Sequence, residues 1–216
     1  QKIVPGKVKG IWYDTILADP KTFNQLIAER DGSSAAILDN VLDCLVDYDM
    51  ENKQWFSRLA DFEIETDKKN NTLIVHYTIK EGIVWSYYNS DKKIPVTSDD
   101  FVFWYNEIAG DSRFNSSGFS GQWISMSDGS VKRVECVKID ERRFDFIFPR
   151  IIAEPLLSTN MNLCPSFLYK KAKEEGGVEG VKNLFPANCD VKQIPSCGKW
   201  FITEYIPSQR LVLERN

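Results

Sequence analysis

The amino-acid sequence predicts an α+β fold in which hairpins alternate with single helices. Three observations carry this. Within residues 72–79, Leu73, Val75, Tyr77 and Ile79 fall on one face and Ile74, His76 and Thr78 on the other, the period of a half-buried strand. Phe144, Phe146 and Phe148 repeat that period. Ala36, Ile37, Leu38, Val41, Leu42 and Leu45 instead recur at helical spacing, as do Phe101, Val102, Trp104, Tyr105 and Ile108. No fixed period recurs along the chain, which excludes a solenoid.

Each element follows in order. Residues 9–17 mix β-formers, Ile11, Trp12 and Tyr13 among them, and are expected to be a strand ended by Asp19-Pro20. Gly32-Ser33-Ser34 is expected to cap a helix running to Leu45. Residues 62–66 and 72–79 form a hairpin across the polar turn 67–71, and Lys80-Glu81-Gly82 turns the chain toward Val84-Trp85. Thr97-Ser98-Asp99-Asp100 opens a helix with Asp100 in the capping-box position, and Gly110 closes it. Residues 111–129 are Ser- and Gly-rich with Phe114, Phe119 and Trp123 interleaved, an irregular segment. Residues 131–139 and 144–148 make a second hairpin stopped by Pro149. A helix over 166–175 ends at Gly176-Gly177, with another helical turn or two over 178–184. A last hairpin spans 198–216 around Pro207-Ser208-Gln209. Its second strand ends at Glu214-Arg215-Asn216 with no terminator, as expected of a longer protein.

Composition bounds the function. With 216 residues and 43% hydrophobic content, the chain buries a substantial core. The net charge is −4 with both signs mixed and no basic stripe, which argues against nucleic acid as a partner. No apolar run reaches the roughly 18 residues that span a bilayer. Residues 1–7 are polar and contain no apolar signal core.

Catalytic and metal motifs are missing. The five cysteines, Cys44, Cys136, Cys164, Cys189 and Cys197, form no C-x-x-C pair, and there is one histidine, so no zinc site and no cofactor is expected. Cys44, in an apolar helical run, and Cys136, in a strand, are expected to be buried free thiols. Cys189 and Cys197 flank a loop that an oxidising compartment would allow to close, although spacing alone does not require it. His76 sits mid-strand and is expected to be structural. No nucleophile elbow, zincin, Walker A or dinucleotide motif occurs, and Gly118-Phe119-Ser120-Gly121 lacks the strand–turn–helix setting of a serine nucleophile. Asp99 and Asp100 suit the positive end of a helix dipole, and the charged run 170–175 suits a solvated helix face. The chain is therefore expected not to be an enzyme.

Segments spread in order over nearly the whole chain resemble the extracytoplasmic solute-binding proteins of ABC importers, specifically the oligopeptide/dipeptide-binding family. Asp19-Pro20-Lys21-Thr22-Phe23-Asn24-Gln25-Leu26 resembles the family's D-P-x-T-L-N-P-L. Leu45-Val46-Asp47-Tyr48-Asp49 and Leu59-Ala60-Asp61-Phe62 resemble its helix exit and the strand after it. The stretch from Thr72 through Glu81-Gly82-Ile83-Val84-Trp85-Ser86 resembles t-y-t-f-x-L-R-x-G-v-k-W-s, and Pro95-Val96-Thr97-Ser98-Asp99-Asp100-Phe101 resembles P-v-T-A-x-D-f. Gly198-Lys199-Trp200 with Leu211 to Asn216 resembles the returning strands that end in e-R-N. The chain departs from the pattern in a longer tip over 87–94, in lacking the proline of N-P-L, and in placing Cys197 where a small or polar residue is usual.

The resemblance implies part of a periplasmic-binding-protein-like lobe with a mixed β-sheet plus the family's smaller extra α+β domain. Residues 1–50 and 170–216 would belong to the first lobe and 51–169 to the extra domain, with a C-terminal lobe following. It implies capture of an extended oligopeptide between hinged lobes, delivery to a membrane permease, and a periplasmic or lipid-anchored location. By the same resemblance, the ligand-facing residues are Arg30, Asp31, Gly32 and Ser33 before the first long helix, Phe119, and Ser196, Cys197 and Gly198. A nickel complex or an oligosaccharide as solute, or a surface adhesion role on the same fold, are the alternatives.

Overall fold

The computed structural model describes residues 10–216. The first elements are a helical turn, α1 (Gln25–Ala28), and a helix, α2 (Gly32–Val41). Asp31, rather than a serine, starts α2. Its carboxylate accepts from the Ser34 amide at 3.1 Å and from the Ser34 hydroxyl at 2.6 Å, satisfying an orphan helical donor. The helix stops at Val41, before the expected end at Leu45. Leu42 and Leu45 remain buried in non-helical backbone, because the segment after α2 faces the same core as the helix. A short hairpin, β1 (Val46–Asp49) and β2 (Gln54–Ser57), follows unannounced by any alternation. The Asp49 carboxylate organises its turn by accepting from the Glu51 and Asn52 amides.

The central sheet lies next. β3 (Ala60–Asp67) and β4 (Thr72–Ile79) form the expected hairpin, with β3 longer than foreseen. β5 (Val84–Ser86) and β6 (Lys93–Pro95) make a small ribbon. Helix α3 (Asp99–Phe103) widens directly into a π turn, Trp104–Ala109, closed at Gly110. The irregular stretch after it contains β7 (Trp123–Ser125), which pairs with β8 (Val131–Arg133). The strand expected over 131–139 is broken at Val134, whose amide donates to the Gln122 carbonyl. β8 and β9 (Glu135–Lys138) therefore enter different sheets. With β10 (Arg143–Phe148), the central sheet has the order β3-β4-β10-β9, each neighbour antiparallel.

Its inner face is the alternation seen in the sequence. Leu73, Val75, Tyr77 and Ile79 face inward with Phe144, Phe146 and Phe148, all buried. Helix α3 and its π turn cover them. Phe101 stacks on Phe144 at 5.0 Å between ring centroids, and Tyr105 meets Phe146 edge-on at 5.0 Å. Each fully buried aromatic of this kind contributes about 1.5–3 kcal/mol over exposure.

Asp100 locks that packing. Its carboxylate accepts from the Thr97 amide at 2.9 Å, the reciprocal half of the expected capping box. It also accepts from Trp85 Nε1 at 3.1 Å and from the Ser166 amide at 2.7 Å. Burial raises its pKa against the pull of these bonds. One carboxylate thus ties β5 and α3 to the start of the next long helix.

After α4 (Pro155–Thr159), helix α5 (Ser166–Lys182) bends at Gly177, whose φ of 59° and ψ of −139° only glycine adopts readily. This joins the two helical stretches expected on either side of Gly176-Gly177. The terminal hairpin is β11 (Trp200–Ile206) and β12 (Arg210–Arg215), with no third strand beside it among the described residues. Asp19 accepts from the Ser208 amide at 2.9 Å and fastens the hairpin's turn to the start of the chain. One hydrophobic cluster joins Leu38 and Val41 of α2, the inner face of the central sheet, and Ile194 and Ile202.

Residues 10–17 form no strand, and Lys9 lies outside the described residues. Trp12 is 87% exposed and Leu17 fully so, with Ile11 and Tyr13 similarly bare. Strand structure needs a partner edge, and none of the described strands pairs with this segment.

Candidate functional site

The surface beside α1, the π turn and α4 is concave. A hollow of about 440 Å³ lies there, its walls including Gln25, Glu29, Trp104, Tyr105, Ser117 and Asn160. The π turn shapes it. Adding a residue to a helical turn frees backbone carbonyls and re-aims side chains, and such turns recur at functional sites. Here Trp104, Tyr105 and Ala109 all line the hollow. The Tyr105 carbonyl accepts from Gln122 Nε2 at 2.8 Å, and Gln122 Oε1 in turn accepts from Arg133 Nε at 2.8 Å, so a buried amide braces the wall. The helix pattern predicted Phe101 to Ile108 as one regular helix. Nothing in a spacing of apolar residues distinguishes a π turn from an α turn over so short a span.

The opposite wall is a polar loop tied to α1. Glu29 Oε2 accepts from the Ser117 amide at 2.8 Å, the Ser117 hydroxyl at 2.9 Å and the Ser116 hydroxyl at 3.1 Å. Glu29 is the one charged side chain among the described residues lining the hollow.

A second hollow, about 320 Å³, shares Cys44 and Asn162 with the first. Arg58 lies in it, bonded to Asp43 at 2.8 Å and Asp47 at 3.1 Å. The hydrogen bond to Asp43 is the main reason that its guanidinium pKa is raised. Lys199 and Asp39 complete the rim, and Asp39 accepts from Asn162 Nδ2 at 2.9 Å. Cys44 is half-buried between the two hollows and outside any helix, unlike the buried helical thiol expected. Its Sγ donates to the Val46 carbonyl at 3.1 Å, and burial followed by the Asp43 charge raises its pKa.

The ligand-facing residues expected from the sequence fall into two groups. Arg30 is exposed and donates to the Asn115 carbonyl, which fastens the loop before α2 to the Ser116–Gly118 loop. Asp31 is the α2 cap, and its bonds, the Ser34 hydroxyl first, hold its pKa low. Gly32 begins α2, exposed and with open space where a Cβ would stand, and Ser33 is half-buried. Phe119 is half-buried against Trp123 at 6.3 Å, one residue beyond the hollow-lining Gly118. None of these residues lines the first hollow itself; Arg30 follows the lining residue Glu29 and Phe119 follows the lining residue Gly118.

The other group sits at the far end of α2, about 15 Å away by helix rise. Ser196 is buried. Its hydroxyl donates to the Val41 carbonyl at 2.7 Å and its amide to the Ser86 carbonyl at 2.9 Å. The Gly198 amide donates to the Val41 carbonyl at 2.9 Å, and a Cβ at Gly198 would lie 2.7 Å from that oxygen. Backbone proximity therefore requires glycine there. Cys197 is partly buried and burial pushes its thiol up. It and Cys189 are both free thiols. The sequence reasoning missed Glu29, Trp104 and Asn160, which are scattered along the chain and meet only in the folded state.

No family model matches the chain. A curated relative from Deinococcus radiodurans, a probable ABC transporter-binding protein, is 23% identical over 98% of this chain and 34% of its own length. The oligopeptide-binding protein of Thermus thermophilus, solved with a pentapeptide, superposes with a TM-score of 0.63 at 16% identity, over 92% of this chain and 36% of that one. The dipeptide-binding protein of a Pseudoalteromonas species, solved with Met-Leu, superposes with a TM-score of 0.60 at 17% identity, over 92% of this chain and 38% of that one. The chain spans about a third of the length of the relatives it matches. It is similar in sequence to a binding protein of ABC transporters and carries, over that third, the fold of the dipeptide- and oligopeptide-binding proteins.

Proposed function

We propose that this chain is one part of the substrate-binding component of an ABC importer, which captures oligopeptides between two lobes and passes them to a membrane permease. The observation that carries the reading is a fold shared with peptide-binding proteins over nearly the whole chain, together with an open polar hollow beside which the loops of Arg30 and Phe119 meet. Amides, hydroxyls and aromatic faces suit an extended peptide, which presents backbone donors and acceptors every residue and tolerates bridging water.

In this reading residues 1–50 and 170–216 belong to the first lobe and 51–169 to the extra domain, while a further lobe of the same protein closes over the ligand. The bare apolar run at Ile11, Trp12 and Tyr13 supports a covering partner. The protein works outside the cytoplasm, where importers collect solutes, and it binds without catalysing. No helix among the described residues is long and apolar enough to cross a membrane.

Native mass spectrometry of the intact, longer protein tests the proposal. Peptides travelling with it support capture. A metal complex or a sugar would reassign the solute, and an empty protein that binds no peptide in calorimetry would overturn the reading. A second measurement compares this chain with the longer protein. Half of a clamp loses the contacts and water exclusion of the other half, so its affinity is expected to fall by at least about a hundredfold, close to 3 kcal/mol.

A further inference from the structure

The π turn that shapes the first hollow is gripped from outside by Arg133, on β8. Its Nε donates to Gln122 Oε1 at 2.8 Å, and its Nη2 donates to the Tyr105 carbonyl at 3.3 Å and to Asn106 Oδ1 at 3.2 Å. The guanidinium also lies over the Tyr105 ring, 5.5 Å from its centroid. The bond to Gln122 Oε1 fixes the direction of that amide, so that Nε2 faces the Tyr105 carbonyl and donates to it at 2.8 Å. Gly110 leaves the space, since a Cβ there would fall on Arg133 Nη2. Asn106 Nδ2 donates to the Cys136 carbonyl at 2.8 Å and the Tyr105 hydroxyl to the Val134 carbonyl at 3.1 Å. The turn is thereby bonded along the junction where β8 gives way to β9.

No ion pair explains the position of Arg133. It is half-buried, and no carboxylate of the described residues pairs with it. Taking a guanidinium partly out of water beside neutral groups costs free energy that its bonds and the ring must offset. A π turn is likewise a rare geometry that needs support from its surroundings. The same three hydrogen bonds meet both demands. Arg133 itself does not line the hollow, whereas Trp104, Tyr105 and Ala109 do.

We infer that Arg133 is a positioning residue for solute capture: its planar fork pins the π turn in the geometry that puts Trp104, Tyr105 and Ala109 in the wall, and so sets the hollow's fit to a solute it does not touch. This deepens the capture reading and rests on it. Lysine is a poor replacement, because one ammonium on a flexible stem does not present donors to Gln122, Tyr105 and Asn106 in a single plane.

The test uses the intact, longer protein, unaltered and as Arg133→Met and Arg133→Lys. The unaltered protein is incubated with a tryptic digest of serum albumin, the retained peptides are identified by mass spectrometry, and the most enriched one is synthesised for calorimetry on all three. Hydrogen exchange of the ligand-free proteins reports on the turn separately. Arg133→Met is expected to weaken the Kd about tenfold, the scale of one or two lost hydrogen bonds. It should also speed exchange of the amides within 104–110 by at least about tenfold while those of β4 hold. Arg133→Lys should recover only part of both, and it carries the same readouts if Arg133→Met does not fold. A merely structural role gives a different result. A weakened fold lowers the number of binding sites and speeds exchange throughout, but leaves the Kd of the folded fraction alone. An unchanged Kd overturns the inference, as does a weaker Kd with exchange in the turn unaltered, or full recovery in Arg133→Lys. If the unaltered protein retains no peptide, the capture reading fails and the role in capture with it, while the exchange measurement, made without ligand, still decides whether Arg133 pins the turn.

Discussion

Strand β4 and residues 10–17 are both rich in β-formers, and they end in opposite states. In β4 the side chains of Val75, Tyr77 and Ile79 are buried between two flanking strands and a helix. In the other segment Ile11, Trp12 and Tyr13 lie open to water in backbone that pairs with nothing among the described residues. A strand is a property of a pair of edges. Composition nominates a segment, but a partner supplied by the rest of the fold decides whether it becomes a strand.

Substitutions of graded severity sharpen that contrast. The largest effect is expected at the centre of the paired region. Phe146→Ala removes a ring held between Tyr77 and Tyr105 and should cost about 3–5 kcal/mol in chemical denaturation. Asp100→Ala leaves the Trp85 indole and the Ser166 amide without their acceptor and should cost about 2–3 kcal/mol by the same measurement. Gly198→Ala forces a methyl against the Val41 carbonyl, with an expected loss of about 1–3 kcal/mol.

The outer face of the sheet offers a subtler test. His76 lies between Asp145 at 2.8 Å and Glu65 at 3.3 Å, with Glu63 opposite it on β3. Burial pulls its pKa down, but the bonds to Asp145 and Glu65 prevail and raise it. A raised folded pKa means that the stabilisation is complete below the unfolded value of about 6.5 and fades as pH climbs through the folded value. The stability difference between the unaltered chain and His76→Asn should therefore shrink between about pH 5 and about pH 8, by under about 1 kcal/mol given the partial exposure of the pair. A difference that grows with pH would show the bonds to be absent in solution.

The smallest effect belongs to the unpaired region. Trp12→Ser in this chain alone should change stability by no more than about 0.5 kcal/mol. The same change in a longer protein that covers the segment should cost about 2 kcal/mol or more. Equal small effects in both would break the comparison, since the segment would then be bare in every context.

Much of this was legible in the sequence where period and punctuation coincide. The alternation of 72–79, the phenylalanine triplet of β10, the glycine bend in α5 and the turn of the last hairpin all appear where residue pattern and turn chemistry agree. The hairpin of β1 and β2 was not legible, because its residues carry no clean alternation and it is held by an aspartate-organised turn. The lining of the candidate site was not legible, and the sequence reached only neighbours of lining residues. Arg30 and Phe119 emerged from a resemblance between stretches of chain, and the capping role of Asp31 explains why that stretch has its form. Glu29, Gln25 and Asn160 are ordinary polar residues in sequence. They acquire meaning from being brought together by packing that no local pattern records. Ser196 and Gly198 carry the opposite lesson. The same kind of resemblance picked them out, yet their bonds to the end of α2 account for their identities through backbone proximity.

The π turn at Trp104–Ala109 has a consequence for how such a cavity changes over generations. An α-helix advances each residue by about 100° around its axis. Losing a single residue from this turn would restore regular geometry and swing everything beyond it by roughly that angle, carrying Ala109 out of the wall and the following loop away from α1. The cavity thus depends on a length as much as on any side chain. An insertion or deletion here would remodel the recognition surface in one event, while point changes in its lining only retune it.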